Sequence, residues 1–593
     1  MGDSLRSLIL TKKPILIFGV SEFLLAFLSL GPAPTFVPLV LLLTTLRIHG
    51  FRTACRSTRF LELICSLGAV TVGTSLALNS AATNAMSKNS TQSFAAVGVM
   101  SAMTYVCVIV AIYADIRLHR RFQSTWAQLT FFPVVWAATW AIVSHFSPVG
   151  RLFNWSPVST SHPFGWMLPY TGPIGIDWAV AACAVLSSEV AAAWLMGSDN
   201  DHKQPIHPDT LPGEAQSNKR SRSLLALGII LVTLALPSLY VSLPTRTDTL
   251  FDASPLGVAC ALPPVRHGHH PTPADYIAET RTLASRAKVV LWPESAVLFN
   301  SQEEREAAFE VMRKDIQQSV IGVAFEEFVP QDPSNPGVSR MRRNGLALVH
   351  REQKKGEEIL QYYKRNLVPF TESFSAIPST EPPTMYTFEL GPPKWATRTE
   401  WSSTTNHTRP IPITSSICLD FAFSSGFSSL DSRPALILAP ARTWDPTVGL
   451  AMWEQAKSRA EEIGSMVLWC DGGATGVSGI GGGGISEIMQ VGSGSWSRMI
   501  GLQFPFDQRR TAYAVIGELG VLVLLVAIMG GTSVAGFAIM GGTTVAGYLP
   551  ALSRSRSILE AVPLLQRLLR GKRRDQENLI DDTVPGERQS LLH

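Results

Sequence analysis

The feature that most constrains this chain is a set of long apolar segments, found before about residue 245 and again after about residue 511. A helix needs about 20 apolar residues to cross the hydrocarbon core of a bilayer. Inside a bilayer every backbone N–H and C=O group needs a partner within the protein, so these segments are predicted to be helices. The predicted spans are residues 14–30, 33–48, 59–80, 94–115, 126–146, 172–196, 223–244 and a segment that begins near 512.

These helices divide the chain of 593 residues into parts. The 33–48 segment is short for a span and could instead be a re-entrant partner of the first helix. Residues 197–222 are polar and proline-rich, which predicts a flexible loop. The net charge of +4 is small, and we predict no nucleic-acid partner. The predicted parts are 1–245 with seven transmembrane helices, 246–510 as a globular domain, 511–550 with a C-terminal transmembrane helix, and 551–593 as a basic tail.

Basic residues are concentrated in alternate loops between these segments. Because positively charged loops stay in the cytosol, both termini are predicted to be cytosolic and the 246–510 domain lumenal or extracellular. Glycosylation acceptor tripeptides begin at Asn89, Asn154 and Asn406, all on the predicted non-cytosolic side. We therefore predict a multi-pass membrane glycoprotein of the endoplasmic reticulum, a later secretory compartment or the vacuole. The basic residues are Arg6, Lys12, Lys13, Arg47, Arg52, Arg56, Arg59, Arg117, Arg120, Arg121, Lys203, Lys219, Arg220, Arg222, Arg554, Arg556, Arg570, Lys572, Arg573 and Arg574.

Five acidic residues lie inside the predicted spans. An ionised side chain in hydrocarbon is costly, so such residues face a partner or a cavity, or lie near helix ends among the lipid head groups. The sequence is compatible with both arrangements and assigns these acids no role. They are Glu22, Glu62, Asp177, Glu189 and Glu518.

The segment 255–508 alternates strand-like and helical runs, which predicts an α/β layered domain. The seven cysteines form no CxxC pair, so neither a zinc site nor a disulfide framework is predicted, and Cys470 is interpreted as a core residue. The candidate strands are 256–262, 289–294, 320–325, 345–350, 359–363, 413–419, 435–439 and 466–470, and the candidate helices are 275–287, 302–319 and 452–463.

Three stretches of this domain place a reactive group beside an apolar strand. The apolar run 289–291 stops at Trp292 and Pro293, so Glu294 is predicted to lie at a strand end. Lys364 lies in YYKRNLVPF, and Cys418 lies in ICLD. A carboxylate, an amine and a thiol are the groups that thiol-based acyl transfer requires.

In this order and these contexts, Glu294, Lys364 and Cys418 resemble the Glu–Lys–Cys triad of the nitrilase superfamily, the carbon–nitrogen hydrolases. The motifs WPESA and KRNLVPFTE, with spanning helices before and after the domain, resemble the bacterial apolipoprotein N-acyltransferases in particular. The residues 441–444, 455–462 and 474–478 are similar to further motifs of that family. The resemblance implies a four-layer αββα sandwich beside a multi-pass helical membrane region, and an enzyme without a metal or other cofactor.

A thiol is a strong nucleophile only after it loses its proton. We predict that Glu294 accepts the proton of Cys418, which then holds the acyl group as a thioester. Lys364 and a backbone N–H that follows Cys418 would stabilise the oxyanion. By the resemblance, Glu372 is a second carboxylate that orients Lys364 or Cys418 or helps with proton transfer, and a surface acid is the alternative. Asp420 stands where the acyltransferases have a glutamate, and we assign it a supporting role.

The predicted partners are the membrane, a phospholipid acyl donor and an amine acceptor, which by resemblance is the N-terminus of a lipoprotein. A glycine run at Gly479 and residues 481–484 departs from the family pattern and predicts a flexible loop beside the site. Two alternatives stay open. One is a membrane-anchored amidase that hydrolyses a small amide in the lumen, and the other is a catalytically silent membrane scaffold that retains the fold.

Overall fold

The protein has a helical region followed by an α/β domain and a further long helix. The helices before the domain are Pro14–Ser29 (α1), Phe36–Ala54 (α2), Arg59–Ala77 (α3), Asn79–Ala85 (α4), Ser90–Leu118 (α5), Thr125–Phe146 (α6), Leu168–Met196 (α7) and Leu211–Ala235 (α8). The computed structural model describes residues 13–54, 59–85, 90–159, 162–196, 211–240, 253–264, 271–315, 319–329, 340–351, 353, 360–369, 371–402 and 405–540. The predicted tail, 551–593, lies outside these ranges.

Within the described ranges, six helices are long and apolar enough to cross a membrane. α1 is a shorter apolar helix. α2 is a continuous helix that extends the short 33–48 segment to Ala54 and buries Arg47 and His49. α8 begins at Leu211, so the predicted loop 197–222 is wrong for its second half, because an established helix extends at little cost into polar sequence. The six candidate spans are Phe60–Ala77, Thr91–Arg121, Thr125–Phe146, Gly165–Leu195, Lys219–Leu239 and Ala512–Gly530.

Each of the five acids in the predicted spans contacts a partner within the protein. Three of them form ion pairs with arginines, and the other two form hydrogen bonds with a histidine and a serine, so pairing inside the protein is the arrangement that the structure shows. The pairs are Glu22 with His49 (2.7 Å), Glu62 with Arg52 (2.8 Å), Asp177 with Arg151 (2.7 Å), Glu189 with Arg220 (2.7 Å) and Glu518 with the hydroxyl of Ser424.

The α/β domain contains two sheets. The strands are Ala253–Cys260 (β1), Val289–Leu291 (β2), Val297–Phe299 (β3), Val320–Phe328 (β4), Arg342–Val349 (β5), Gln361–Tyr363 (β6), Tyr386–Leu390 (β7), Arg409–Ser415 (β8), Leu436–Ala441 (β9), Met466–Asp471 (β10), Val477–Gly482 (β11), Ile485–Val491 (β12) and Trp496–Gln503 (β13). The first sheet has the strand order β13-β1-β2-β4-β5-β6, with β3 paired to β4, and the second has the order β12-β11-β10-β9-β8-β7. The remaining helices are Pro273–Leu283 (α9), Gln302–Asp315 (α10), Arg398–Trp401 (α11), Pro446–Ile463 (α12) and Ala512–Met540 (α13).

The two sheets pack face to face between layers of helices. On β2, Val289 and Leu291 belong to the core between the sheets, whereas Val290 faces the helices α9 and α10. This alternation is the period of two that a strand buried on both faces shows. α12 covers the outer face of the second sheet, against β10 and β11. The layers therefore form the αββα sandwich that the resemblance implied.

A disulfide bond joins Cys260 of β1 to Cys470 of β10. Both cysteines are fully buried in the core between the sheets. The sequence analysis predicted no disulfide framework and so missed this bond, because the two residues lie 210 positions apart and only the packing of the sheets brings them together. The interpretation of Cys470 as a core residue agrees with its burial.

The glycine run forms a hairpin between β11 and β12, so the predicted flexible loop was wrong. Gly479 and Gly481 lie in β11, and residues 482–484 form the turn with positive φ angles. A Cβ on Gly481 would lie 2.9 Å from Trp453 and from Lys457 of α12. The glycines are therefore needed for close packing of the hairpin on α12 and for its turn.

The glycosylation tripeptides differ in accessibility. Asn154 is buried, and its side-chain amide donates to the carbonyl of Trp140 (3.2 Å), so this fold has no room for a glycan there. Asn406 is exposed in a turn of the α/β domain. Asn89 lies outside the described residues.

Candidate active site

Each of the three predicted reactive side chains follows the end of a strand. Glu294 comes after β2, and Lys364 comes directly after β6 in the same sheet. Cys418 comes after β8, in the second sheet. β2 runs parallel to β1 in the first sheet, and β8 runs parallel to β9 in the second. The carboxyl ends of β2 and β8 meet at one end of the sandwich, so residues from both sheets can share one site.

The structure brings Glu294, Lys364 and Cys418 into direct contact. Lys364 Nζ lies 2.7 Å from Glu294 Oε1, and the thiol of Cys418 hydrogen-bonds to the Glu294 carboxylate. All three side chains are buried. A buried lysine is stabilised only when it is paired, and here its partner is the carboxylate that also faces the sulfur.

The electrostatics of this cluster suit proton transfer. Burial raises the pKa of Glu294 to about 7, opposed by Lys364 and assisted by Glu372. Burial alone would lower the pKa of Lys364, but Glu294, then Cys418 and Glu372, raise it overall, so Lys364 remains an ammonium. Burial and Glu294 raise the pKa of Cys418 well above its ordinary value. The resting cluster thus holds a thiol beside a carboxyl group that can accept its proton near neutral pH.

Cys418 occupies a sharp turn and not the end of a strand. The strand predicted over 413–419 ends at Ser415, and residues Cys418–Ala422 form a 3₁₀ turn. The φ angle of Cys418 is +44°, in the left-handed region that favours glycine. Such strain persists only where the surroundings hold it, and it is concentrated at functional sites.

The two predicted supporting acids contact this cluster in different ways. Glu372 accepts a hydrogen bond from Lys364 Nζ (2.8 Å) and another from the backbone N–H of Val368 (2.8 Å), and it is half-buried. These contacts are the ones that orientation of Lys364 by Glu372 would require. Asp420 does not touch Lys364: it accepts hydrogen bonds from Tyr362 (2.7 Å) and from the backbone N–H of Asn366 (2.7 Å). Asp420 thus holds the chain on both sides of Lys364.

Sequence reasoning missed two contributors to the site. Asn344 of β5 donates from Nδ2 to Glu294 Oε1 (2.7 Å), so Glu294 is held by an amide as well as by Lys364. The backbone N–H of Arg442 hydrogen-bonds to the sulfur of Cys418. Asn344 follows Arg342 and Arg343 in the polar first part of β5, so the sequence did not distinguish it, and a backbone donor leaves no trace in side-chain chemistry. No group of three His, Cys, Asp or Glu side chains among the described residues could hold a metal ion.

Comparison with solved structures finds similar nitrilase-superfamily proteins. A mutant of an amidase from Nesterenkonia is 18% identical with a TM-score of 0.30, and it covers 44% of this chain and 95% of its own. Saccharomyces cerevisiae Nit3, a member of branch 10 of the nitrilase superfamily, is 16% identical with a TM-score of 0.30, over 45% of this chain and 95% of its own. An N-terminal amidase with an Asn-Glu-Ala peptide is 9% identical with a TM-score of 0.29, and the similarity covers 42% of this chain and 99% of the amidase.

No protein-family model and no curated protein matches the chain.

Proposed function

We propose that this protein is a membrane-bound enzyme of the carbon–nitrogen hydrolase type that transfers an acyl chain from a phospholipid to an amine. One observation carries the proposal: the sulfur of Cys418, the carboxylate of Glu294 and the ammonium of Lys364 form a single buried cluster. Side chains that are 54 or more residues apart in sequence have no structural need for such an arrangement in a core. Acyl transfer through a thioester uses all three.

In the first half-reaction Glu294 takes the proton of Cys418 while the sulfur attacks the acyl carbonyl. The C–S bond forms, and the carbonyl π electrons move to the oxygen. The ammonium of Lys364, which has three N–H donors, and a backbone N–H after Cys418 stabilise this oxyanion. Collapse of the intermediate expels the alcohol of the phospholipid, which takes the proton from Glu294, and leaves the acyl group on Cys418.

In the second half-reaction an amine attacks the thioester. Its nitrogen forms the amide bond, Glu294 accepts the proton of the amine, and the departing sulfur of Cys418 receives that proton. By resemblance the amine is the N-terminus of a lipidated protein. If water enters in place of the amine, the same groups make a hydrolase, which is the amidase alternative.

Contacts between the helices and the α/β domain support a phospholipid donor. The loop at Gly150, between α6 and α7, packs directly on Ala422 of the turn that carries Cys418. Glu518 of α13, within the candidate span Ala512–Gly530, binds Ser424 just beyond that turn. An acyl chain that leaves a bilayer beside these helices would have only a short path to the sulfur. A soluble amide would not need helices so close to the site.

We also propose that the domain lies in an oxidising compartment on the non-cytosolic side. The disulfide between Cys260 and Cys470 supports this, because such bonds persist in the secretory pathway and are rare in the cytosol. The α4 segment and the loop at Gly150 both contact the domain. The distribution of basic residues predicts that these two segments also lie on the non-cytosolic side. The exposed Asn406 should then carry a glycan that Asn406→Gln removes, detected as a mobility shift on enzymatic deglycosylation.

The test of function is the purified protein in nanodiscs with phospholipid that carries a labelled acyl chain. Wild type should gain a label that neutral hydroxylamine releases, and Cys418→Ala should gain none. Cys65→Ala removes an exposed free cysteine and is the matched control. Glu294→Gln should acylate more than 100-fold more slowly, because it loses the general base.

Each other outcome selects an alternative. No label on wild type, or equal label on Cys418→Ala, contradicts acyl transfer. Turnover of soluble amides without lipid would favour the amidase. A cellular phenotype that neither Glu294→Gln nor Cys418→Ala changes would favour the silent scaffold.

A further inference from the structure

The segment around the turn Cys418–Ala422 contacts both the α/β domain and the helical region. The φ angle of +44° at Cys418 is disfavoured for a residue with a Cβ, so the turn Cys418–Ala422 must be held in place by its neighbours. Within the domain, Asp420 ties one side of the turn to Tyr362 and Asn366. The opposite side faces the helical region.

The first contact on that side comes from the segment Gly150–Phe153, which connects α6 to α7. Gly150 has a φ angle of +56°, and a Cβ at this position would overlap the backbone carbonyl of Ala422. Only glycine permits this approach of the two backbones. The next residue, Arg151, is buried and pairs with Asp177 of α7 at 2.7 Å, which fixes the segment to the helical region.

The second contact comes from α13. The hydroxyl of Ser424, two residues beyond the turn, donates to Glu518 Oε1. α13 is interrupted at Gly517, where φ is +70°, so the helix changes direction immediately before Glu518. Glu518 also interacts electrostatically with Arg151, the neighbour of Gly150. The contact from α13 and the contact from the segment Gly150–Phe153 are therefore linked.

A third contact holds the loop on the other side of the sulfur. Asp445, three residues after Arg442, accepts hydrogen bonds from Ser80 (2.8 Å) and Asn84 (2.5 Å) of the short helix α4. The indole N–H of Trp444 donates to the carbonyl of Ala81 (3.1 Å). The helical region thus contacts both the turn that carries Cys418 and the loop that follows Arg442.

We infer that the helical region is part of the catalytic apparatus, with Ser424, Glu518 and Gly150 as positioning residues that hold the sulfur of Cys418 against Glu294. The inference rests on the proposed nucleophilic role of Cys418. It goes beyond a membrane anchor, because it assigns to the helices a role in the chemical step itself.

The test measures alkylation of Cys418 by iodoacetamide in the full-length protein in nanodiscs, as a function of pH, by mass spectrometry of the Cys418 peptide. The groups that face this sulfur are Glu294, Lys364 and Glu372. While the sulfur contacts Glu294, alkylation should rise near pH 7 as that carboxyl group loses its proton. A displaced sulfur should instead follow its own, higher ionisation.

Ser424→Ala should slow alkylation at pH 7 about tenfold and move the rise to higher pH, because a small displacement of a reacting group costs one to two orders of magnitude in rate. Ser424→Thr keeps the hydroxyl and should restore the wild-type profile. Ser428→Ala is the matched control, since its hydroxyl donates to the carbonyl of Ser425 (2.9 Å), three residues earlier in the same segment. The thermal midpoint of each variant is measured in the same nanodiscs.

Simple loosening of the turn would expose the sulfur and speed alkylation, so a slower reaction at unchanged thermal midpoint identifies positioning. An unchanged or faster reaction of Ser424→Ala, or equal slowing by Ser428→Ala, overturns the inference. A wild-type profile without a rise near pH 7 contradicts the proposed role of Glu294 instead. The two failures are therefore distinguishable.

Discussion

Removal of the disulfide between Cys260 and Cys470 should destabilise the α/β domain strongly. The bond links β1 of the first sheet to β10 of the second, with 5.5 Å between the two Cα atoms and 210 positions between the residues in sequence. A cross-link over so long a loop removes much of the conformational entropy of the unfolded chain. The loop-entropy relation gives about 5 kcal/mol for this separation, at the upper end of the usual range.

The double variant Cys260→Ala/Cys470→Ala also loses two sulfur atoms from a fully buried core. For a domain of this size each kcal/mol lowers the midpoint of thermal unfolding by about 2–4 °C. We therefore expect the midpoint to fall by about 10 °C or more, measured by tryptophan fluorescence in nanodiscs. Dithiothreitol should lower the midpoint of the wild type by a similar amount and leave that of the double variant unchanged.

Two results would refute this reasoning. One is a wild-type protein in which both cysteines react with a thiol reagent after unfolding without reductant, since the bond would then be absent. The other is a double variant whose midpoint equals that of the wild type. The control Cys65→Ala, at an exposed free thiol, should leave the midpoint within about 2 °C.

Two further predictions concern the acids beside Lys364. Glu372→Gln removes a negative charge that raises the pKa of Glu294. The rise of Cys418 alkylation with pH should therefore begin at lower pH in this variant. A rise at the same pH as in the wild type, or at higher pH, would contradict this effect of Glu372 on Glu294. Asp420→Asn replaces one of the two acceptor oxygens by an N–H₂ group. That group must face an N–H donor, either the pair from Asn366 or the backbone N–H of Arg365, which should lower the rate of thioester formation about tenfold and cost about 1–3 kcal/mol of stability. Wild-type acylation kinetics at an unchanged thermal midpoint would show that Asp420 has no such role.

Several features of the fold followed from local patterns. Long apolar runs predicted helices near α3, α5, α6, α7 and α13, because backbone hydrogen bonding within an apolar segment is a local requirement. The apolar run before Trp292 and Pro293 predicted the end of β2, and the strand-like runs 345–350 and 359–363 predicted β5 and β6. Errors occurred where distant packing decides: the strand predicted through Cys418 becomes a turn, and the glycine run becomes a hairpin.

The chemical groups of the site could be named from the sequence, since their motifs and order are properties of the chain itself. Their mutual distances could not, because Glu294 and Lys364 belong to one sheet and Cys418 to the other, and only the stacking of the sheets sets the contacts. The roles of Asn344 and of the Arg442 backbone are likewise products of that stacking.

Local patterns were enough to predict apolar helices around an α/β domain that contains a carboxylate, an amine and a thiol. The packing of distant segments brings the three groups into contact, joins Cys260 to Cys470, and sets Gly150 and Glu518 of the helical region against the segment around Cys418. The difference lies in the distance along the chain over which each effect acts. Periodicity and backbone preferences act over a few residues, whereas a shared site between two sheets and a helical region exists only when segments hundreds of residues apart are packed together.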